Sequence, residues 1–197
     1  MRRGIAAVLS LLTVVLVSGC GLFDTRPVRP GTGPVVTCLT PNTVDAVVSN
    51  VLDQYAVLAG ITCYTAMLDT SFAFHPDPSD SLDALPDTVF AHWTRDVEVR
   101  DASTMAANVT FRIVAFDSLY APTVISPDQR TQTRFYAYHL IVHASQVAPD
   151  TLFQGRADIT FFQGSDAQWH VTQWIDRRDA SGLRTWGYLR RVYRVGF

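Results

Sequence analysis

The sequence predicts an α+β domain in which N-terminal helices cover one face of a curved antiparallel sheet. Apolar residues recur at helical spacing from Asn42 to Gly60. After Asn108 the chain turns to segments rich in β-branched and aromatic residues, and turns marked by proline or glycine separate those segments. Helices first and a meander of long strands afterwards is the order that puts helices on one side of a single sheet.

The first helix begins at Asn42, a good N-cap, and carries Val44, Val47, Val48, Val51, Leu52, Tyr55, Leu58 and Ala59 on one face up to Gly60. A shorter helix covers Cys63 to Leu68. Phe72-Ala73-Phe74 reads as a short strand ahead of the turn-rich His75-Pro76-Asp77-Pro78-Ser79-Asp80. Between Pro86 and Ala106 the chain reads as a helix with a break, offering Val89, Trp93, Val97 and Met105 for burial. Five strands are then expected: Val109 to Phe116, Arg134 to Ala144, Leu152 to Phe162, Gln168 to Asp176 and Trp186 to Val195. Their turns fall at Pro122, Pro127, Pro149-Asp150, Gly164-Ser165-Asp166 and Ala180-Ser181-Gly182.

Ahead of this domain lies a leader. Arg2 and Arg3 are followed by the apolar run Ile5 to Val17 and by the small residues Ser18-Gly19, with Leu16-Val17-Ser18-Gly19 directly preceding Cys20. The pattern reads as a lipoprotein signal over residues 1–19, with Cys20 processed, acylated and holding the protein on a lipid bilayer. The apolar run is short of the ~20 residues that a spanning helix needs, whereas each buried methylene of an acyl chain contributes ~0.8 kcal/mol. Residues 20–41, with four prolines and three glycines from Gly21 to Pro41, read as a tether, and residues 42–197 as one domain. With Gly21 and not Asp after Cys20, the leader resembles those of diderm bacterial lipoproteins, and that resemblance implies sorting to the outer membrane with the domain facing the periplasm.

Every one of the 16 basic residues is Arg, and Glu98 is the one exception among 18 acidic residues that are otherwise Asp. Loss of Arg2 and Arg3 moves the net charge from −2 to −4, so a general nucleic-acid partner lacks the basic surface it needs. With Cys20 acylated, Cys38 and Cys63 remain in an oxidising compartment, and a disulfide between them is expected to clip the tether to the second helix. The alternative is two separate thiols.

The long first helix, the segment Phe72-Ala73-Phe74-His75-Pro76-Asp77-Pro78, the Trp93 helix, and Trp169-His170-Val171-Thr172-Gln173-Trp174-Ile175-Asp176 followed by Thr185-Trp186-Gly187 together resemble the NTF2-like superfamily, the cone-shaped fold also called SnoaL-like or cystatin-like. Within it the chain looks like a group of bacterial lipoproteins. The resemblance spans about Asn42 to Val195. It implies a cone with a pocket for a small hydrophobic ligand, and a homodimer through the outer sheet face as a further partner. Some members are isomerases, dehydratases or epoxide hydrolases; others only bind. No catalytic motif of those enzymes can be laid on this sequence, so no catalytic residue, cofactor or metal is assigned, and the expected function is a membrane-anchored module that binds a small hydrophobic ligand or a partner protein in the cell envelope. The alternative is an envelope enzyme using a pocket His or Asp for acid–base chemistry on a small apolar substrate.

Pocket candidates under this reading are Tyr64, Phe72, Trp93, Arg112, Tyr138, His139, Asp158 and Trp169. Alternation places Phe135, Ala137, His139, Ile141 and His143 on one face of their strand and Tyr136, Tyr138, Leu140 and Val142 on the other, and either face could be the inner one. His139 and His143 would be ~13 Å apart along a strand, too far for one metal ion. Asp158 is open to two roles, a pocket carboxylate or a surface partner of Arg156 or Arg134. His75-Pro76-Asp77 reads as a turn, and Trp169 and Trp174, five apart, as facing opposite sides. Arg177, Arg178, Arg184, Arg190, Arg191 and Arg194 read as a solvated outer face or as a contact for anionic headgroups.

Overall fold

Thr43, one residue after the expected cap, starts the first helix: its Oγ1 accepts the amide of Ala46 at 3.1 Å, and α1 (Val44–Ala56) follows with Val44, Val47 and Val51 buried. Helix α2 (Ile61–Met67) buries Cys63, Tyr64 and Met67. The incoming chain is fixed to both helices. Cys38 and Cys63 form a disulfide with Cα atoms 5.4 Å apart, and the Asn50 side chain accepts the Leu39 amide at 2.8 Å and donates to the Leu39 carbonyl at 2.7 Å.

The computed structural model describes residues 37–56, 61–81, 89–109, 111–143 and 151–195; Leu58, Ala59 and the expected helix start at Pro86 lie outside them, as does the side chain of Tyr55. Among the described residues no helix is long and apolar enough to cross a membrane. Strand β1 (Leu68–His75) leads into the single turn α3 (Pro78–Ser81), and helix α4 runs from Arg95 to Asn108. Its buried stripe is Glu98, Asp101, Ala102 and Met105, so two carboxylates stand where apolar residues were expected. Val97, expected in that stripe, is only partly buried. Strands β2 (Phe111–Ile125), β3 (Thr131–His143), β4 (Thr151–Gln163) and β5 (Trp169–Arg177) follow. The sheet order is β1-β5-β4-β3-β2. Every pair is antiparallel except β1–β5, which is parallel.

The helices cover the face that carries Tyr136, Tyr138, Leu140 and Val142 of β3 with Phe153, Ala157, Ile159 and Phe161 of β4, and the core lies there. His139 and its alternation partners face outwards. On β5 the alternation breaks: Phe161 pairs with Val171 but Thr160 with Gln173, so Thr172 is an extra residue. That bulge brings Trp169 and Trp174 to the same side, Trp174 in the core and Trp169 packed at its margin, which corrects the opposite-face expectation.

The larger correction is the C-terminus. Trp186 to Val195, expected as a strand, is helix α5 (Trp186–Val195). Trp186, Leu189, Arg190 and Tyr193 sit at i, i+3, i+4 and i+7 and are all buried, a helical period that its aromatic and β-branched content obscures. The arginines divide accordingly. Arg190 points into the core, while Arg184 and Arg194 remain exposed.

Candidate functional site

Helix α5 lies over the inner sheet face and carries one cation into it. Arg190 is bidentate to Glu98, with Nε 2.9 Å from Oε2 and Nη2 2.9 Å from Oε1, both side chains sealed from solvent. Its guanidinium stacks 4.1 Å from the Phe74 ring centre, 4.6 Å from Trp174 and 5.1 Å from Trp186. Glu98 also accepts the Tyr64 hydroxyl and, at 2.7 Å, the Trp93 indole N–H. The pair is thereby satisfied by hydrogen bonds on both oxygens, the condition under which a buried ion pair is tolerated.

A second set of carboxylates surrounds the start of α5. Asp176 accepts the Tyr138 hydroxyl at 2.7 Å and the Gly187 amide at 2.5 Å, while Tyr138 in turn accepts the Trp186 amide at 2.7 Å. Asp80 accepts the Thr185 hydroxyl and stands 3.5 Å from the Arg178 guanidinium. These groups cap the positive end of the helix. Gly187 lies between them: a Cβ there would come within 3.0 Å of Asp80 Oδ2 and 3.2 Å of Asp176 Oδ2. Gly155 does the same for Tyr138, since a Cβ would meet its hydroxyl at 2.8 Å and the Arg177 carbonyl at 2.7 Å.

Burial dominates the acidity of this region. It pushes Asp176 up to about 7, against the stabilising Tyr138 and Gly187 hydrogen bonds and the Arg190 charge, and it raises Asp80 likewise. Asp101, with neither carboxylate oxygen hydrogen-bonded among the described residues, is pushed to about 8 by burial and then by the neighbouring Glu98, opposed by Arg190 and Arg194. None of these carboxylates is open to a substrate: Asp80, Asp101 and Asp176 are 0%, 3% and 1% exposed.

An open corner remains beside α5. Val142, Thr151, Phe153, Leu189, Val192 and Tyr193 line a groove of about 280 Å³ at the end of β3 and the start of β4. Arg184 stacks 4.2 Å from the ring centre of Tyr188 at its edge. Its described lining is mostly apolar, with the hydroxyl-bearing Thr151, Tyr188 and Tyr193, one cation and no carboxylate, imidazole or thiol.

The expected pocket residues are spread over three places. Tyr64, Phe72, Trp93 and Tyr138 are on the inner face and buried. Trp169 is at the opposite end of the sheet from the groove, beside Ile125, Ser126, Pro127, Gln129 and Gln132. His139 and Asp158 face outwards, which corrects their placement in a pocket. His139 Nδ1 is 2.8 Å from Asp117, and Asp158 pairs with Arg177 at 2.7 Å, not with Arg156 or Arg134, and accepts the Tyr120 hydroxyl. The side chain of Arg112 lies outside the described residues. Asp77 accepts the amides of Ser79 and Arg178, as a turn residue does. Among the described residues no group of three His, Cys, Asp or Glu could hold a metal ion.

Sequence reasoning missed Glu98, Asp101, Asp176, Asp80 and Arg190. One signal was present. In a chain that otherwise uses Asp, the single Glu marks a position where the longer arm is needed to reach Tyr64, Trp93 and Arg190 together.

No family model and no curated protein matches the sequence. Solved structures do match. An NTF2-like superfamily protein from Salmonella enterica serovar Typhimurium LT2 superimposes with a TM-score of 0.51 at 12% identity, over 69% of this chain and 89% of its own. The fold is NTF2-like. A proposed scytalone dehydratase from Novosphingobium aromaticivorans DSM 12444 (TM-score 0.53, 10% identity, 73% of this chain and 91% of its own) and ActVI-ORFA from Streptomyces coelicolor (0.50, 17%, 69% and 94%) share it. At these identities the likeness carries the architecture alone.

Proposed function

We propose that this chain is a lipid-anchored protein of the cell envelope whose NTF2-like domain binds a small apolar molecule with an anionic end in the groove between α5 and the β3–β4 edge. The observation that carries the reading is the groove itself: about 280 Å³ of mostly apolar lining with a stacked arginine at the rim, at the lower end of the ~300–1,000 Å³ of small-molecule sites. Apolar walls supply affinity and Arg184 orients the charged end. The anchor rests on Leu16-Val17-Ser18-Gly19-Cys20. Acid–base catalysis on an apolar substrate is the rival, and the raised pKa values of Asp101 and Asp176 favour it; their burial keeps any substrate away from them.

Native mass spectrometry of the protein purified after export tests the reading. A bound species of defined mass is expected, lost in Val192→Trp, where an indole fills the groove from a half-buried position, and held roughly tenfold more weakly in Arg184→Ala, which removes one charge-assisted contact. No adduct on the wild type, or an adduct that Val192→Trp retains, overturns it.

A further inference from the structure

The end of the sheet remote from the groove is where the chain enters the domain. The Pro41 carbonyl accepts the Trp169 amide at 2.7 Å, and Cys38 is bonded to Cys63. The chain thus passes beside the start of β5, level with the end of β2, the start of β3 and the end of β4. This end also carries the most exposed large apolar side chains of the described domain: Val124 at 58%, Ile125 at 54% and Leu39 at 51%. Ile125, Pro127 and the half-buried Trp169 border an open hollow of about 640 Å³ there, together with Ser126, Gln129 and Gln132. A Trp with exposed aliphatics at one rim, beside the chain entry, is the composition that sits at a membrane interface.

From these positions we infer that the tether end docks on the bilayer, with Leu39, Val124, Ile125 and Trp169 at headgroup level and the groove turned away from the lipid. The inference rests on the lipid-anchor reading. Cys20 and Thr37 are seventeen positions apart, a reach of at most ~60 Å, so this end is always within range of the membrane. Strand β3 alone spans ~44 Å over its 13 residues, so the groove end can approach the membrane only with the chain drawn out along the sheet. The local charges are mixed, with Asp128 and Asp166 beside Arg130, whose guanidinium stacks 5.0 Å from the Phe162 ring centre. Contact is therefore driven by apolar burial and not by attraction to anionic lipid.

The test uses the full lipidated chain in phosphatidylethanolamine–phosphatidylglycerol vesicles, with a spin label at Pro127→Cys or, at the groove end, at Ala180→Cys; both positions are exposed. The label at 127 is expected to collide with oxygen in preference to a water-soluble nickel chelate, by several-fold over the label at 180, and Val124→Asn with Ile125→Asn should erase that contrast. Mass measurement of the N-terminal peptide reads the acyl chains on Cys20 separately. Acylated Cys20 with equal accessibility at the two positions overturns the docking and leaves the anchor reading standing. Absence of acyl chains overturns both. Spin–spin broadening at 127 would mean that a second copy covers this end, which also overturns the docking.

Discussion

Tyr138 and His139 are neighbours on β3, and each is paired with an aspartate across the sheet, yet the two pairs live under opposite conditions. Tyr138 meets Asp176 at 2.7 Å on the inner face, sealed beneath α5. His139 meets Asp117 at 2.8 Å on the outer face, where both side chains are about a third to a half exposed. Burial moves Asp176 to about 7 and Tyr138 well above its usual range. The lesson is that a polar pair takes its energy and its acidity from the side of the sheet it occupies, more than from the residue types in it.

The strongest way to break this contrast is to remove the inner cation. Arg190→Met leaves the buried Glu98 charged without its cation, and should destabilise the domain by about 3–5 kcal/mol in urea denaturation. The double variant Arg190→Met with Glu98→Gln should recover part of that loss, since it removes the orphaned charge. A single variant within 1 kcal/mol of wild type, a margin set by what surface ion pairs contribute, would place the pair on the same footing as the outer face.

The next effect is in pH. The folded pKa values of Asp101, about 8, and Asp176, about 7, lie above the usual ~4 of the unfolded chain, so the folded state holds more protons between those values. Stability is therefore fully supported below about pH 4 and declines as pH rises towards 8. Asp69, Asp77 and Asp179 are shifted down by hydrogen bonds that outweigh their burial, and their contribution is lost as pH falls below ~4, which sets the optimum near pH 4–5. Asp101→Asn should flatten the decline and raise stability at pH 8. Thermal unfolding at pH 5 and pH 8 checks both, and a profile that is flat or rises with pH contradicts the inner-face account.

Much of the fold was legible in the sequence because two periods were clear: the valines of α1 at helical spacing and the alternating strands β3 and β4. Four features were not. Alternation on β3 separates Tyr138 from His139 but carries no sign of which side the helices take, so the candidates were drawn from both faces. For α5 the composition of Trp186 to Val195 suits a strand, and only the joint burial of Trp186, Leu189, Arg190 and Tyr193 reveals the helical period. A bulge at Thr172, one residue long, reversed the side on which Trp169 falls. The inner polar cluster brings together residues up to 105 apart in sequence, as Asp80 and Thr185 are, and no local spacing announces such a meeting.

The smallest expected effect sharpens the comparison from the other side. On the outer face His139→Ala removes an ion pair with Asp117 whose partners are 35% and 48% exposed, where water competes for both charges and salt screens them. Its loss should change stability by less than about 0.5 kcal/mol, and 0.5 M salt should reduce even that. Neighbouring Ile141 and Ala137 on the same face are only partly buried and leave room for the truncated side chain to be hydrated. If His139→Ala instead costs more than 2 kcal/mol in the same urea assay, the outer face is covered in the working protein. The homodimer implied by the resemblance would then be the structure that covers it, because only burial turns a surface pair into an interaction of that size.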